Sequence, residues 1–164
     1  MGSSREYKLL FVGAIALALV LGAAAAYYLL LKPSEGSHSG IKLEDFYAVY
    51  TGSVIGVYGK IVNDTGSRVC IETVILAENA EGVKAEIHKT VKEGNVYKMV
   101  PVDTLCIEPG GVVELRHGPG GMHIMVMPGS AGKEALEGIV SDGYVELKIV
   151  LDDGSEAYVK ATLK

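Results

Sequence analysis

From Ile41 onward, short runs of β-branched and aromatic residues recur roughly every 8–12 positions, each closed by turn chemistry. Residues 54–62 run into Asn63-Asp64-Thr65-Gly66, and residues 69–75 into a polar turn around Glu78 to Gly82. Residues 83–90 and 96–100 flank Glu93-Gly94-Asn95, and 105–107 and 112–115 flank Pro109-Gly110-Gly111. Segments 122–127, 144–150 and 157–162 complete the set, the last two divided by Asp152-Asp153-Gly154. Eight or nine short strands at this spacing predict an all-β fold, a Greek-key sandwich or barrel. Within this region the only helix expected is a turn around residues 133–136.

The N-terminal part has a different character. Residues 9–31 contain no charged side chain, and as a helix these 23 positions would span about 34 Å, enough to cross a bilayer core. Arg5 and Lys8 precede the run, which orients residues 1–8 to the cytoplasm and the rest outside; Tyr27 and Tyr28 suit the outer interface. A cleaved signal peptide is the alternative, with Ala23-Ala24-Ala25-Ala26 as its small-residue site. The run is longer than a usual apolar signal core, so a single-pass anchor at residues 9–31 is the expectation, followed by a linker at 32–40 and an extracytoplasmic domain at 41–164. With Arg5, Lys8 and Glu6 set aside, thirteen basic and nineteen acidic residues remain, a net charge of −6. That balance disfavours nucleic acid as a partner.

Chemistry concentrates after the loop Gly118-Pro119-Gly120-Gly121, where Met122, His123, Met125 and Met127 fall within six residues. On a strand, alternation puts His123, Met125 and Met127 on one face. Imidazole and thioether donors suit Cu(I) and offer little to hard cations. Ten residues separate His88 from Met99 on two strands of an expected hairpin, so the two pairs make a set of two imidazoles and two thioethers. Outside the cell thiols are lost to disulfides whereas Met is not, and neutral Met permits release. Met127 reads as core filler, Met122 as loop packing or a lid, and His117 as a solvated loop residue; all three stand by as auxiliary donors. Cys70 and Cys106 can bridge, remain buried thiols, or, least favourably, ligate copper. Asn63-Asp64-Thr65 matches a glycosylation sequon.

The pattern His88-x10-Met99 with His123-x-Met125 resembles the H-x10-M…H-x-M signature of the periplasmic CuA chaperone family, PCuAC. Tyr58 to Asn63 resembles the family's Y-x-x-x-x-N strand end. Val100-Pro101-Val102-Asp103, Pro109-Gly110-Gly111 with Leu115, Pro119 to Met125, and Gly143-x-Val145-x-Leu147 with Gly154 are similar as well. The resemblance covers residues 41–164. It implies a cupredoxin-like Greek-key β-sandwich, not an enzyme, that binds Cu(I) through His88, Met99, His123 and Met125. By the same resemblance it delivers copper to the CuA subunit of a haem-copper oxidase. A monomer held at the cell membrane by residues 9–31 is the expectation, and this retained anchor differs from the many members of the family that look soluble after export. Between Met99 and His123 stand 23 residues where the family usually has 21, the surplus falling at His117-Gly118. The His/Met-rich tail of some members has no counterpart after Thr162-Leu163-Lys164, so a second, Cu(II)-type site is not expected.

Two other function classes compete. An electron-transfer cupredoxin needs His2Cys with a weak axial Met, and only Cys106 is remotely placed for it. A metal-free sandwich could serve as a binding or assembly module. Catalysis is not expected: there is no nucleophile elbow, no HExxH and no phosphate-binding loop.

Overall fold

The computed structural model describes residues 40–77, 82–129 and 132–164, all within one compact unit, Glu35–Lys164. The expected span at residues 9–31 and most of the linker lie outside the described residues. Among the described residues, no helix is long and apolar enough to cross a membrane.

Among the described residues, ten strands and one helix follow in order. The first five strands are β1 (Ile41–Tyr50), β2 (Ile55–Asn63), β3 (Val69–Leu76), β4 (Val83–Glu93) and β5 (Val96–Pro101). Then come β6 (Leu105–Ile107), β7 (Val112–Leu115), β8 (Met122–Pro128), helix α1 (Glu134–Asp142), β9 (Tyr144–Leu151) and β10 (Glu156–Leu163). They form one continuous ladder in the order β5-β4-β8-β7-β2-β1-β10-β9-β3-β6, with β2 also pairing β8. The ladder folds over so that β3 lies against β4, giving a β-sandwich around a single core. Most pairings are antiparallel, but β1 with β10 and β7 with β8 run parallel.

Strict alternation in β9 and β10 places Val145, Leu147, Ile149 and Leu151 with Ala157, Val159 and Ala161 in the core. Strand β2 is buried on both faces for most of its length: Ile55, Val57 and Ile61 enter the core, while Tyr58 lies on the other side. That second face is the one that matters for function.

Two elements differ from expectation. Strand β1 was not among the expected segments, because a register shift between Glu44 and Tyr47, with Asp45 at φ 56°, breaks its alternation. The expected single turn of helix is a nine-residue helix, α1, whose Leu136 is fully buried and whose Ile139 and Val140 pack against the core.

The glycosylation motif is also reassigned. Asn63 is fully buried at the end of β2, and its amide donates to the carbonyls of Ser67 (2.8 Å), Ile107 (2.9 Å) and Glu108 (3.2 Å). Its Oδ1 accepts from the Thr65 backbone N–H (3.0 Å) and hydroxyl (2.6 Å). Both polar atoms of the side chain are spent, the amide tying β2 to the β6–β7 turn and to Ser67 and the oxygen closing the β2–β3 turn at Thr65, leaving none to carry a glycan.

Candidate metal centre

Three adjacent strands build the site. In the β4–β8 pairing His88 stands opposite His123, Glu86 opposite Met125, and Lys84 opposite Met127. Directly opposed residues share a face, so His88, Glu86, His123, Met125 and Met127 lie on one side. Ile87, Ile124 and Val126 point to the other side and enter the core. On the far flank of β4, Met99 stands opposite Thr90, and Pro101 opposite His88. Met99 is therefore diagonal to His88, on the edge strand.

The two imidazoles are buried, and their ring centres are 6.3 Å apart at 52°. A ring nitrogen about 2.0–2.1 Å from a metal puts the ring centre roughly 3.2 Å from it, so two rings on one ion sit within about 6.4 Å. The observed spacing lies within that reach. His88 Nε2 is 3.1 Å from Glu86 Oε2, while His88 Nδ1 is buried with no hydrogen-bond partner. With the Nε2–H donated to the carboxylate, Nδ1 carries an unused lone pair, the arrangement in which a carboxylate fixes the tautomer of a metal-ligating histidine. Burial first, and then neighbouring His88 and His117, lower the pKa of His123 below its ordinary value. Its imidazole is thereby held in the neutral form that binds metals.

The thioethers differ in exposure. Met125 is buried and lies outside the main core, on the imidazole face. Met99 is 56% exposed and lines a cleft of about 230 Å³ together with Tyr58, Thr90, Tyr97, His117, Pro119 and His123. Among the described residues, no three of His, Cys, Asp and Glu gather into a metal-binding group. An ion held between His88 and His123 would find thioether sulfur on the same face at Met125, and thioether sulfur suits soft metals better than hard cations.

Tyr58 frames the site. Val57 pairs with Ile124, so Tyr58 adjoins His123 across β2 and β8, with ring centres 5.9 Å apart. Gly56, opposite Met125, makes this possible: a Cβ there would come within 2.3 Å of the Tyr58 hydroxyl oxygen. Gly121 closes the approach to β8 in the same way, since a Cβ there would fall 2.4 Å from the Arg116 carbonyl oxygen. Gly120 donates to the Thr90 carbonyl and Thr90 to that of Gly121, both at 2.9 Å, which locks the loop onto β4.

The auxiliary residues sort themselves. Met122 packs toward the main core, off the imidazole face, and is neither lid nor loop filler. Met127, expected as core filler, is half-buried on the face of Met125 and lies outside the core cluster. His117 is exposed yet not simply solvated: it stacks on Tyr58 at 3.8 Å and 28° and lines the cleft. Cys70 and Cys106, opposite one another on β3 and β6, are joined in a disulfide. Since these are the only two cysteines of the chain, no thiolate exists for a blue-copper centre. Glu86 and Tyr58 were not singled out as site residues, though Glu86 stands two before His88 and alternation alone puts it on the same face.

At the level of sequence, no family model matches the chain and no curated relative matches it. The fold does have solved counterparts. A copper-bound PCuAC domain from PmoF2 superposes with a TM-score of 0.53 at 16% identity, over 77% of this chain and 93% of that one. The apo PCuAC domain of PmoF2 gives 0.51 at 16% identity over 77% and 90% of the two chains. The apo PCuAC domain of PmoF1 gives 0.51 at 16% identity over 77% and 94%. The described domain thus has a PCuAC-like fold.

Proposed function

We propose that this chain is a copper chaperone that holds one Cu(I) among His88, Met99, His123 and Met125 and hands it to a second protein. The observation that carries the reading is the buried, unpartnered Nδ1 of His88 beside the in-register imidazole of His123, with the Met125 thioether on the same face. The PCuAC-like fold supports it, one of the similar domains being copper-bound.

Handover follows from the difference between the thioethers. Met125 is the buried, permanent donor, whereas Met99 sits on an edge strand at the mouth of the cleft. An incoming donor displaces Met99 first, and the ion then leaves by stepwise exchange without crossing the core. Neutral thioethers leave Cu(I) with its single positive charge, so departure separates no ion pair.

The acceptor we propose is the CuA subunit of a haem-copper oxidase, on the strength of the motif spacing. The setting is extracytoplasmic, with residues 9–31 as the anchor; the Cys70–Cys106 disulfide favours such an oxidising compartment.

The test is anaerobic competition between the full-length chain in mild detergent and a chromophoric Cu(I) chelator. The expected result is a 1:1 complex whose X-ray absorption gives a mixed first shell with about two sulfurs. Failure to compete at all would remove the copper reading. A complex that forms but does not transfer copper to an apo CuA domain would remove only the acceptor.

A further inference from the structure

The mouth of the cleft carries the opposite sign to the rest of its domain. Residues 41–164 hold twelve basic and eighteen acidic side chains, a net charge of −6, whereas the β4–β5 hairpin at 83–101 holds four and two, a net charge of +2. Both carboxylates of the hairpin are engaged, Glu86 with His88 and Glu93 with Lys98. Lys92 stands opposite Tyr97 with its ammonium 6.0 Å from the ring centre, on the face that also carries Met99. Across the cleft, Arg116 opens the loop whose Pro119 forms the other lip, and its Nη1 donates to the His117 carbonyl at 3.4 Å. Lys92 and Arg116 are both exposed, and neither enters an ion pair among the described residues. Between these two cations lie the exposed side chains of Tyr97, Met99 and Pro119.

We infer that this mouth is the docking surface for a copper-accepting protein whose own metal site is rimmed by Asp and Glu. The inference rests on the copper reading above and adds to it the chemistry of the partner. Aromatic and thioether side chains at the centre with charges at the edge are the composition of a protein–protein contact. Unpaired cations on both lips select an acidic rim, and they speed encounter more than they tighten the complex. Salt of about 0.1 M confines each charge to about 10 Å, so a partner at the mouth meets Lys92 and Arg116 rather than the acidic turns elsewhere. A second copy of this chain would set the same cations against each other. Lys98 and Pro101 on edge strand β5 likewise discourage strand-to-strand pairing between copies. Docking here brings the acceptor's donors to Met99, the ligand that is displaced first.

The test uses the full-length chain in mild detergent, loaded anaerobically with Cu(I). The acceptors are two synthetic peptides with the same Met-rich copper-binding core, one flanked by Asp and Glu and the other by Lys. Stopped-flow transfer is expected to be about tenfold faster to the acidic peptide at about 0.1 M salt, with the advantage lost at about 1 M. Lys92→Glu/Arg116→Glu should abolish or reverse the preference while Cu(I) affinity, read by chelator competition, stays within about threefold. Lys133→Glu/Lys160→Glu makes the same change of net charge away from the mouth and should keep the preference. Equal rates to the two peptides in wild type, an unchanged preference in the mouth variant, or an equal loss in the control variant would each overturn the inference. So would a wild-type dimer in sedimentation that the mouth variant abolishes, since the surface would then serve a second copy. Failure of wild type to take up Cu(I) from the chelator would strike the copper reading itself, and this inference with it.

Discussion

His88 on β4 and His123 on β8 stand directly opposite one another, buried, with ring centres 6.3 Å apart. They end an aromatic row that crosses four strands: Tyr47 to Tyr58 at 5.3 Å, Tyr58 to His123 at 5.9 Å, then His123 to His88. A row of rings on one face leaves each imidazole few alternative rotamers, so the donors are held before the ion arrives. Preorganisation of this kind lowers the ordering cost of binding.

The carboxylate behind His88 should be measurable. Glu86 Oε2 lies 3.1 Å from His88 Nε2 and fixes which nitrogen is free. Replacing Glu86 with Leu removes that acceptor while leaving all four proposed donors in place. Cu(I) affinity is expected to fall about 10–100-fold, the range for an outer partner of a metal-bound histidine, with stoichiometry still 1:1. Chelator competition measures this, and an unchanged affinity would show that Glu86 does not orient the ring.

The two thioethers should part company in stability but not in copper chemistry. Met125→Leu nearly preserves volume at a buried site and is expected to cost less than about 1.5 kcal/mol. Met99→Leu, on an exposed edge-strand position, should change stability by no more than about 0.5 kcal/mol. In each variant X-ray absorption of the Cu(I) form should show one sulfur fewer. Denaturant titration supplies the stability side, and retention of both sulfurs in either variant would remove that Met from the site.

What could be read from the sequence was whatever rests on local period. Strands β9 and β10 alternate without a break, and their limits were legible for that reason. β1 was not, since its bulge at Glu44 to Tyr47 shifts the apolar side chains out of phase. Helix α1 carried a signal in Leu136, Ile139 and Val140 at helical spacing, but Gly138 and the acidic neighbours diluted it. Within the site, the spacing of His88 and Met99 pointed to a hairpin, and the hairpin is there. Its register, however, sets Met99 against Thr90 and gives His88 a different neighbour, His123. That contact, like the stacking of His117 on Tyr58, joins residues far apart in the chain through a register that no local pattern encodes.

Asn63 is expected to matter for folding and not for copper. Its side chain satisfies three carbonyls and both donors of Thr65 in a fully buried position. Asn63→Ala strands those groups without partners and should destabilise the domain by about 2–4 kcal/mol. Asn63→Asp should also destabilise, because a carboxylate cannot donate to the carbonyls of Ser67, Ile107 and Glu108. Chemical denaturation tests both. A near-neutral Asn63→Ala would mean that water replaces the amide at this turn.

The disulfide offers a control that separates fold from site. Cys70 and Cys106 are 36 residues apart in sequence and join β3 to β6 at the end of the ladder opposite β5. Removing a cross-link across a loop of that length costs about 4 kcal/mol in the chain-entropy model. Neither cysteine belongs to β4, β5 or β8, where the proposed donors lie. The double variant Cys70→Ser/Cys106→Ser should therefore melt well below wild type, yet bind Cu(I) within about threefold of it at temperatures where it remains folded. Melting by circular dichroism and chelator competition, run on the same samples, check the two halves. A folded double variant with much weaker copper binding would mean that the bridge shapes the site after all, through the packing of β3 against β4.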